Sequence, residues 1–326
     1  MYDIITFGSA AWDIFLKLDK FKTVKSDKFT RGQGLCLDLG SKVDVKNIFL
    51  SSGGGGTNAA ATFAKQGFRT AFCGMVGSDI FGKEIIEELK KLKIDTQFIF
   101  KTDLKPTNFS VIFNTGPKKD KTIIAYRGAA GFLNKRIIPW SKLKAKWFYL
   151  APLTGELADI TEEIVNFAYK NKIKIAFNPG KYQLSQKNLK RILKKIDVLF
   201  LNREEASLLT KIPYNKEKEI FKKLDQICPG IAIMGSSKGI TVSDGKKLYQ
   251  AKASRVKIAD KAGAGDAFAS GFVSGFIKRG NIEYAIQLGL ANSGACMQEL
   301  GAKKGLLNKN ASLPKAEIKI ESLKFI

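Results

Sequence analysis

The sequence predicts a three-layer α/β fold, a mostly parallel central sheet covered by helices on both faces, with a small β-sheet projecting from it as a lid. Three observations carry this. From Ala145 onward, short apolar runs alternate regularly with stretches of helical period, the pattern of a doubly wound sheet. Within residues 13–50 and 107–127 helical periodicity is lost and only short alternating runs remain, which suits a separate antiparallel sheet. A chain of 326 residues with 44% hydrophobic and 26% charged content is globular and large enough for one domain over 1–326 with the lid as its satellite.

The elements follow in order. Residues 1–8 read as a first strand and lack the basic-then-apolar pattern of a secretory leader. Asp13, next to small residues and ahead of a short strand at 14–18, suits hydroxyl recognition; an exposed turn aspartate is the alternative. Alternating runs at 35–39 and 43–50 start the lid, whose expected region opens at Phe21. The run Ser51-Ser52-Gly53-Gly54-Gly55-Gly56-Thr57-Asn58 then enters a small-residue helix at 59–67. Its glycines bring backbone against a ligand or a strand, and Asn58 offers both a donor and an acceptor. Gly77 to Glu84 falls one residue short of a phosphate-binding P-loop, because Glu84 stands where a hydroxyl is needed; it reads as a turn and helix cap. Runs at 108–114 and 122–127, joined by a polar turn at 116–120, complete the lid.

Beyond the lid come a strand at 147–151, a helix at 156–171, a strand at 173–177, a helix at 186–195 and strands at 198–201 and 231–234. A hairpin of 240–242 with 247–251 follows. Ligands of such sheets bind beyond the carboxyl ends of the strands. That rim carries Asn178-Pro179-Gly180 and Asn202-Arg203-Glu204-Glu205, where Asn202 and Glu205 either orient magnesium-bound waters or cap the next helix. The turn Asp260-Lys261-Ala262-Gly263-Ala264-Gly265-Asp266 comes last, before helices at 267–278 and 282–300. Free N–H groups at a helix start bind phosphoryl oxygens, and a carboxylate there can take a proton from an attacking hydroxyl. A glycine loop capped by Asp266 is the competing reading.

Composition excludes much. The chain has no histidine, so Ser-His-Asp and Cys-His catalysis and histidine metal sites are ruled out. Cys36, Cys73, Cys228 and Cys296 are scattered, which argues against a zinc site or disulfide framework and for a reducing cytoplasm. No apolar run reaches the roughly 18 residues of a membrane span. The net charge of +25 is spread along the whole chain, recurring on helix-like segments such as 83–93 and 187–195, as solvated faces rather than a nucleic-acid patch. It still attracts anionic substrates such as nucleotides.

With these segments placed, the chain resembles the ribokinase-like, or PfkB, family of carbohydrate and nucleoside kinases. The matching segments are Gly53 to Asn58 with its alanine-rich helix, Val76 to Gly82, and Asp260 to Phe268, supported by Asn202 to Glu205, Gly235 to Gly239, and Gly301-Ala302. The resemblance implies an ATP-dependent kinase acting on a hydroxyl of a sugar or sugar derivative, or alternatively of a nucleoside. It assigns Asp266 as general base and the Gly263, Ala264 and Gly265 turn as an anion hole. Asp13, Gly54, Gly55, Asn58 and Arg127 would meet the acceptor. Asn202, Ser236, Lys238, Gly239, Ala291, Asn292 and Ala295 would meet ATP, the adenine lying against residues 256–258. Glu205 would hold Mg²⁺ through water, and the lid would pair two subunits, as in some members. Two departures stand out. Lys261 replaces the usual threonine, which puts in question the monovalent cation some relatives bind beside Asp260. Gly55 replaces the lysine of ribokinases proper, which leaves the sugar open.

Overall fold

The computed structural model describes residues 1–18, 22–29, 32–115 and 120–323; Phe21 and positions 116–119 of the expected lid turn lie outside them. The N-terminal part runs β1 (Tyr2–Phe7), β2 (Ala11–Leu18), β3 (Lys22–Lys25), β4 (Gln33–Cys36), β5 (Val45–Gly53), α1 (Gly55–Lys65), β6 (Thr70–Gly77), α2 (Ile80–Lys91), β7 (Ile99–Thr102), β8 (Asn108–Thr115) and β9 (Asp120–Tyr126). There follow β10 (Ala145–Leu150), α3 (Glu156–Asp159), α4 (Thr161–Lys170), β11 (Lys174–Phe177), α5 (Lys181–Leu184), α6 (Leu189–Leu193), β12 (Val198–Asn202), α7 (Arg203–Thr210) and α8 (Glu217–Ile227). The chain ends with β13 (Ile231–Ser236), β14 (Gly239–Ser243), β15 (Lys247–Lys252), α9 (Ala264–Arg279), α10 (Ile282–Met297) and β16 (Ile318–Ser322).

One sheet has the order β16-β15-β14-β13-β12-β11-β10-β1-β6-β7. It is parallel from β7 to β13 and antiparallel from there to β16. Its central strands are apolar on both sides because both faces are covered. Ile5, Phe148, Phe177 and Leu199 pack with Ile164 of α4 and Phe221 of α8. Their neighbours Ile4, Tyr149, Ala176 and Val198 pack on the other face with Phe63 of α1 and Phe268 and Phe272 of α9. The period-two alternation thus sorts residues into two helical layers.

Strands β5-β2-β8-β9 form a second sheet, antiparallel except for the parallel pair β2–β8. Its register puts Phe49, Phe15, Ile112 and Ile123 in one row and Ser51, Asp13, Ser110 and Ala125 in the next row of the same face. The run expected at 35–39 does not join this sheet: β4 pairs with β3 as a hairpin, the local partner being reached first. The expected helix at 156–171 breaks at Ile160, where the Thr161 hydroxyl donates to the Ala158 carbonyl at 2.6 Å in competition with the helix ladder. The one expected at 186–195 becomes α5 and α6. There the Gln183 side chain accepts from Gly180 N and Leu153 N, both at 3.0 Å, starting a helix earlier. Helix α10 stops at Met297, short of residue 300. Among the described residues no helix is long and apolar enough to cross a membrane.

Helices α9 and α10 lie side by side because small residues face each other. A methyl on Gly275 would fall 2.7 Å from the Cα of Ala285. We therefore expect Gly275→Ala to lower stability by about 1 kcal/mol net, since overpacking costs of roughly 1–3 kcal/mol exceed the ~1 kcal/mol gained in helix propensity. A urea midpoint equal to or above that of the wild type would show that α10 yields freely.

Candidate active site

The glycine run between β5 and α1 carries a carboxylate at each end. A Cβ on Gly53 would fall 2.1 Å from Oδ2 of Asp13, and one on Gly55 would fall 3.5 Å from Oδ1 of Asp266. Gly54 has φ 96° and its backbone lies against Ser9 O, 2.4 Å from where a Cβ would stand, so only glycine fits this turn. The helix begins here rather than at residue 59, and its first turn aims Asn58 at Asp266. Asn58 Nδ2 donates to Asp266 Oδ2 at 2.9 Å, joining residues 208 positions apart. Asn58 is 5% exposed and its buried Oδ1 has no hydrogen-bond partner among the described residues.

Asp266 stands in the first turn of α9, whose N-cap Gly263 is left-handed at φ 72°. Ala264 N reaches back to Lys261 O at 3.3 Å, and Ala267 N makes the first bond of the helix, to Gly263 O at 2.8 Å. The N–H groups of Gly265 and Asp266 precede that bond, and Gly265 has open space beside it. Burial pushes the Asp266 carboxyl above the usual range, opposed by the Asn58 hydrogen bond and the Lys303 charge. Asp13 is pushed up by burial as well, opposed by a hydrogen bond from Ser110 and the charges of Lys303 and Lys121. It lies inside β2 rather than in a turn.

Lys303 carries no sequence signal beyond following Gly301-Ala302, yet it is 4% exposed. Its ammonium donates to Ser52 Oγ and lies 3.6 Å from Glu88. Burial draws its pKa down, and the charges of Glu88, Asp13 and Asp266 pull it back. Lys65 holds this segment in place by donating to the carbonyls of Lys303 at 2.9 Å and Lys304 at 3.1 Å.

The remaining residues are distributed more widely. Asn202 and Glu205 form a capping box on α7: Asn202 Oδ1 accepts from Glu205 N and Glu205 Oε2 accepts from Asn202 N, both at 2.8 Å. One Glu205 oxygen is thus used locally. Among the described residues no group of three Asp, Glu or Cys side chains could hold a metal ion. Glu205 offers the oxygen chemistry that magnesium takes. Ser236 Oγ and Lys238 N–H tighten the turn into Gly239, at 3.2 Å. Ala291 and Ala295 sit on α10, where Gly294 faces Ser254 and Val256. Asn292, also expected at ATP, is fully buried; it donates to Ala267 O at 2.8 Å and accepts from Leu307 N at 2.9 Å, so its amide ties α10 to α9. Arg127 is exposed one residue past β9, outside the Asp13, Asn58 and Asp266 group.

Asp260 is 1% exposed. Its Oδ1 accepts from Ala262 N at 2.7 Å and from the Lys121 ammonium, and its Oδ2 accepts from Gly301 N at 3.3 Å. These partners do not fit a monovalent cation on this carboxylate, because an ammonium already meets it. Lys261, the departure visible in the sequence, is exposed.

Residues 29–309 match the family described as pfkB family carbohydrate kinase. Ribokinase of Haemophilus influenzae is 26% identical over 280 residues, covering 84% of this chain and 90% of that one. In fold the chain is similar to Thermotoga maritima ribokinase, with a TM-score of 0.77 at 22% identity over 95% of this chain and 97% of that one. It is also similar to Methanocaldococcus jannaschii nucleoside kinase, with a TM-score of 0.75 at 21% identity over 94% and 95% of the two chains. The chain with paired carboxylates against one glycine run and a helix start opening beside the second of them belongs to the pfkB family of carbohydrate kinases, which are phosphotransferases.

Proposed function

We propose that this kinase transfers the γ-phosphoryl group of ATP to a hydroxyl of a sugar or sugar derivative held between Asp13 and Asp266. The observation that carries this reading is the desolvated Asp266 carboxylate, oriented by Asn58 and adjoining a helix start whose N–H groups precede the first helical bond. Asp266 takes the hydroxyl proton as the oxygen attacks phosphorus, and ADP leaves. The N–H groups of Gly265 and Asp266, with that of Ala264, receive charge on the phosphoryl oxygens, electrostatic positioning being most of such catalysis. Glu205 would hold magnesium through water, and the ion would there neutralise phosphate charge. Asn202, Ser236, Lys238 and Gly239 line the phosphate path, and the adenine lies between Val256 and the Ala291–Ala295 face of α10. Arg127, at the rim, meets an anionic substituent where the sugar carries one.

The sheet β5-β2-β8-β9 acts as the lid of this single domain, keeping water from the transferring phosphate. Its outer face carries a row of Leu50, Ile14, Val111 and Ile124; Leu50 is 51% and Ile124 61% exposed. Such a row supports pairing of two lids. The three buried cysteines suit a reducing cytoplasm.

An ADP-release assay across pentoses, hexoses, phosphorylated and acidic sugars and nucleosides tests the substrate class. Turnover confined to nucleosides selects the alternative acceptor. We expect Asp266→Asn to lose about 10²–10⁴ in turnover, and activity near that of the wild type would remove the base from this position.

Asp266 works ionised, so kcat/KM falls as pH drops through its pKa. Because burial raises that pKa, the acid limb is expected above the ordinary carboxylate range. Lys303→Met removes an opposing charge and should move the limb higher still; an unmoved limb would show that Lys303 does not act on Asp266.

Light scattering should give twice the chain mass for the wild type and a monomer for the Leu50→Lys, Ile124→Lys double variant. A monomeric wild type rules out lid pairing.

A further inference from the structure

We propose that the Lys121 ammonium is a tethered cation that serves at Asp260 in place of a bound monovalent ion, fixing the anion-hole turn and linking it to the lid. Asp260 is a buried carboxylate at the root of that turn. Its backbone N–H and that of Ala259 bond to Met297 O at 3.1 and 2.8 Å, so it sits where the end of α10, the Gly301-Ala302 segment and the start of α9 meet. The next turn residue, Ala262, donates to it. Moving this carboxylate therefore moves Gly263 and the N–H groups beyond it. A buried charge of this kind requires a counter-charge, and Lys121 supplies it from another sheet.

The route of the side chain explains why Lys121 reaches so far. On β9, Lys121 and Ile123 are two residues apart and face the same way as Phe15 and Asp13. The ammonium lies 5.2 Å from the centroid of the Phe15 ring, and the Lys121 side chain is 14% exposed. Burial draws its pKa down to about 8, with Asp13 pulling the other way. Ala302 closes the other side of the turn, its Cβ lying 2.4 Å from where one on Gly263 would stand. An ammonium on a lid strand cannot diffuse away, so occupancy of this place does not depend on salt. It follows the position of the lid instead.

The inference rests on the anion-hole reading of the turn, and its test includes a measurement that is independent of turnover. Thermal midpoints of the wild type and of Lys121→Ala are compared in about 0.1 M potassium chloride and choline chloride, so that general screening is matched. We expect the wild-type midpoint to be the same in both salts, and that of Lys121→Ala to be lower in choline and raised by potassium. With the acceptor identified, wild-type turnover should be flat across the two salts. Turnover of the variant should fall by about 10²-fold, as when an anion hole is damaged, and recover in potassium. A folded variant with no specific potassium response, or a wild type whose midpoint or turnover rises in potassium, overturns the proposal. If Lys121→Ala does not fold, the wild-type pair of salts decides alone. Loss of the turnover effect with the midpoint effect intact would instead count against the anion-hole reading.

Discussion

The bond between Asn58 and Asp266 is the constraint on which the rest depends. A carboxylate removed from water is driven toward its neutral form, and a neutral Asp266 could take no proton. The protein opposes that drift with two groups from distant parts of the chain, an amide on α1 and an ammonium on the segment after α10. Both must arrive in register. This accounts for the packing of α1 beside α9, for the glycines that let α1 start against Ser9 and Ala151, and for Lys65, which fixes the backbone carrying Lys303.

The second sheet meets the same problem from the other side. Asp13 is half-buried in a strand rather than exposed in a turn, and Ser110, its register partner on β8, helps to hold it. Sheet alternation sends Asp13, Phe15 and Lys121 inward, while Ile14, Leu50 and Ile124 face out. One periodicity thus separates an inner face that binds polar groups from an outer face with unspent apolar surface. Covering and pairing, the two roles proposed for this sheet, need no separate device.

Much of this was legible in the sequence where signals are local. The parallel strands and the turns at 53–58 and 260–266 announce themselves through runs of apolar residues or glycine, and Asp79 caps α2 by accepting from Gly82 N at 2.8 Å, as its loop suggested. The break at Ile160 was hidden because helical periodicity continues through it. The capping box of Asn202 and Glu205 was one of two readings, and both residues make it. Asn292 was expected beside the nucleotide through the family resemblance; its burial against Thr62, Ala267 and Leu307 depends on contacts with distant parts of the chain that local sequence does not display. Lys121 and Lys303 could not be singled out: in a chain with 55 basic residues, a lysine carries no mark of being buried.

That excess of positive charge divides into two physical populations. Most lysines are exposed, on strands, turns and helices alike, where each ion pair contributes little and the summed field mainly speeds the approach of anions. Lys65, Lys121 and Lys303 are different, because their ammonium groups answer internal carbonyls and carboxylates. Replacing Lys121 by an uncharged residue leaves the buried Asp260 carboxylate without a counter-charge, which costs far more than the pair itself contributes. A surface lysine can change with little effect on the fold, whereas these three tie the segment after α10 and the second sheet to the parts of the chain that carry Asn58 and Asp266. Net charge alone therefore says little about this protein; what shapes the site is where a few cations are forced out of water.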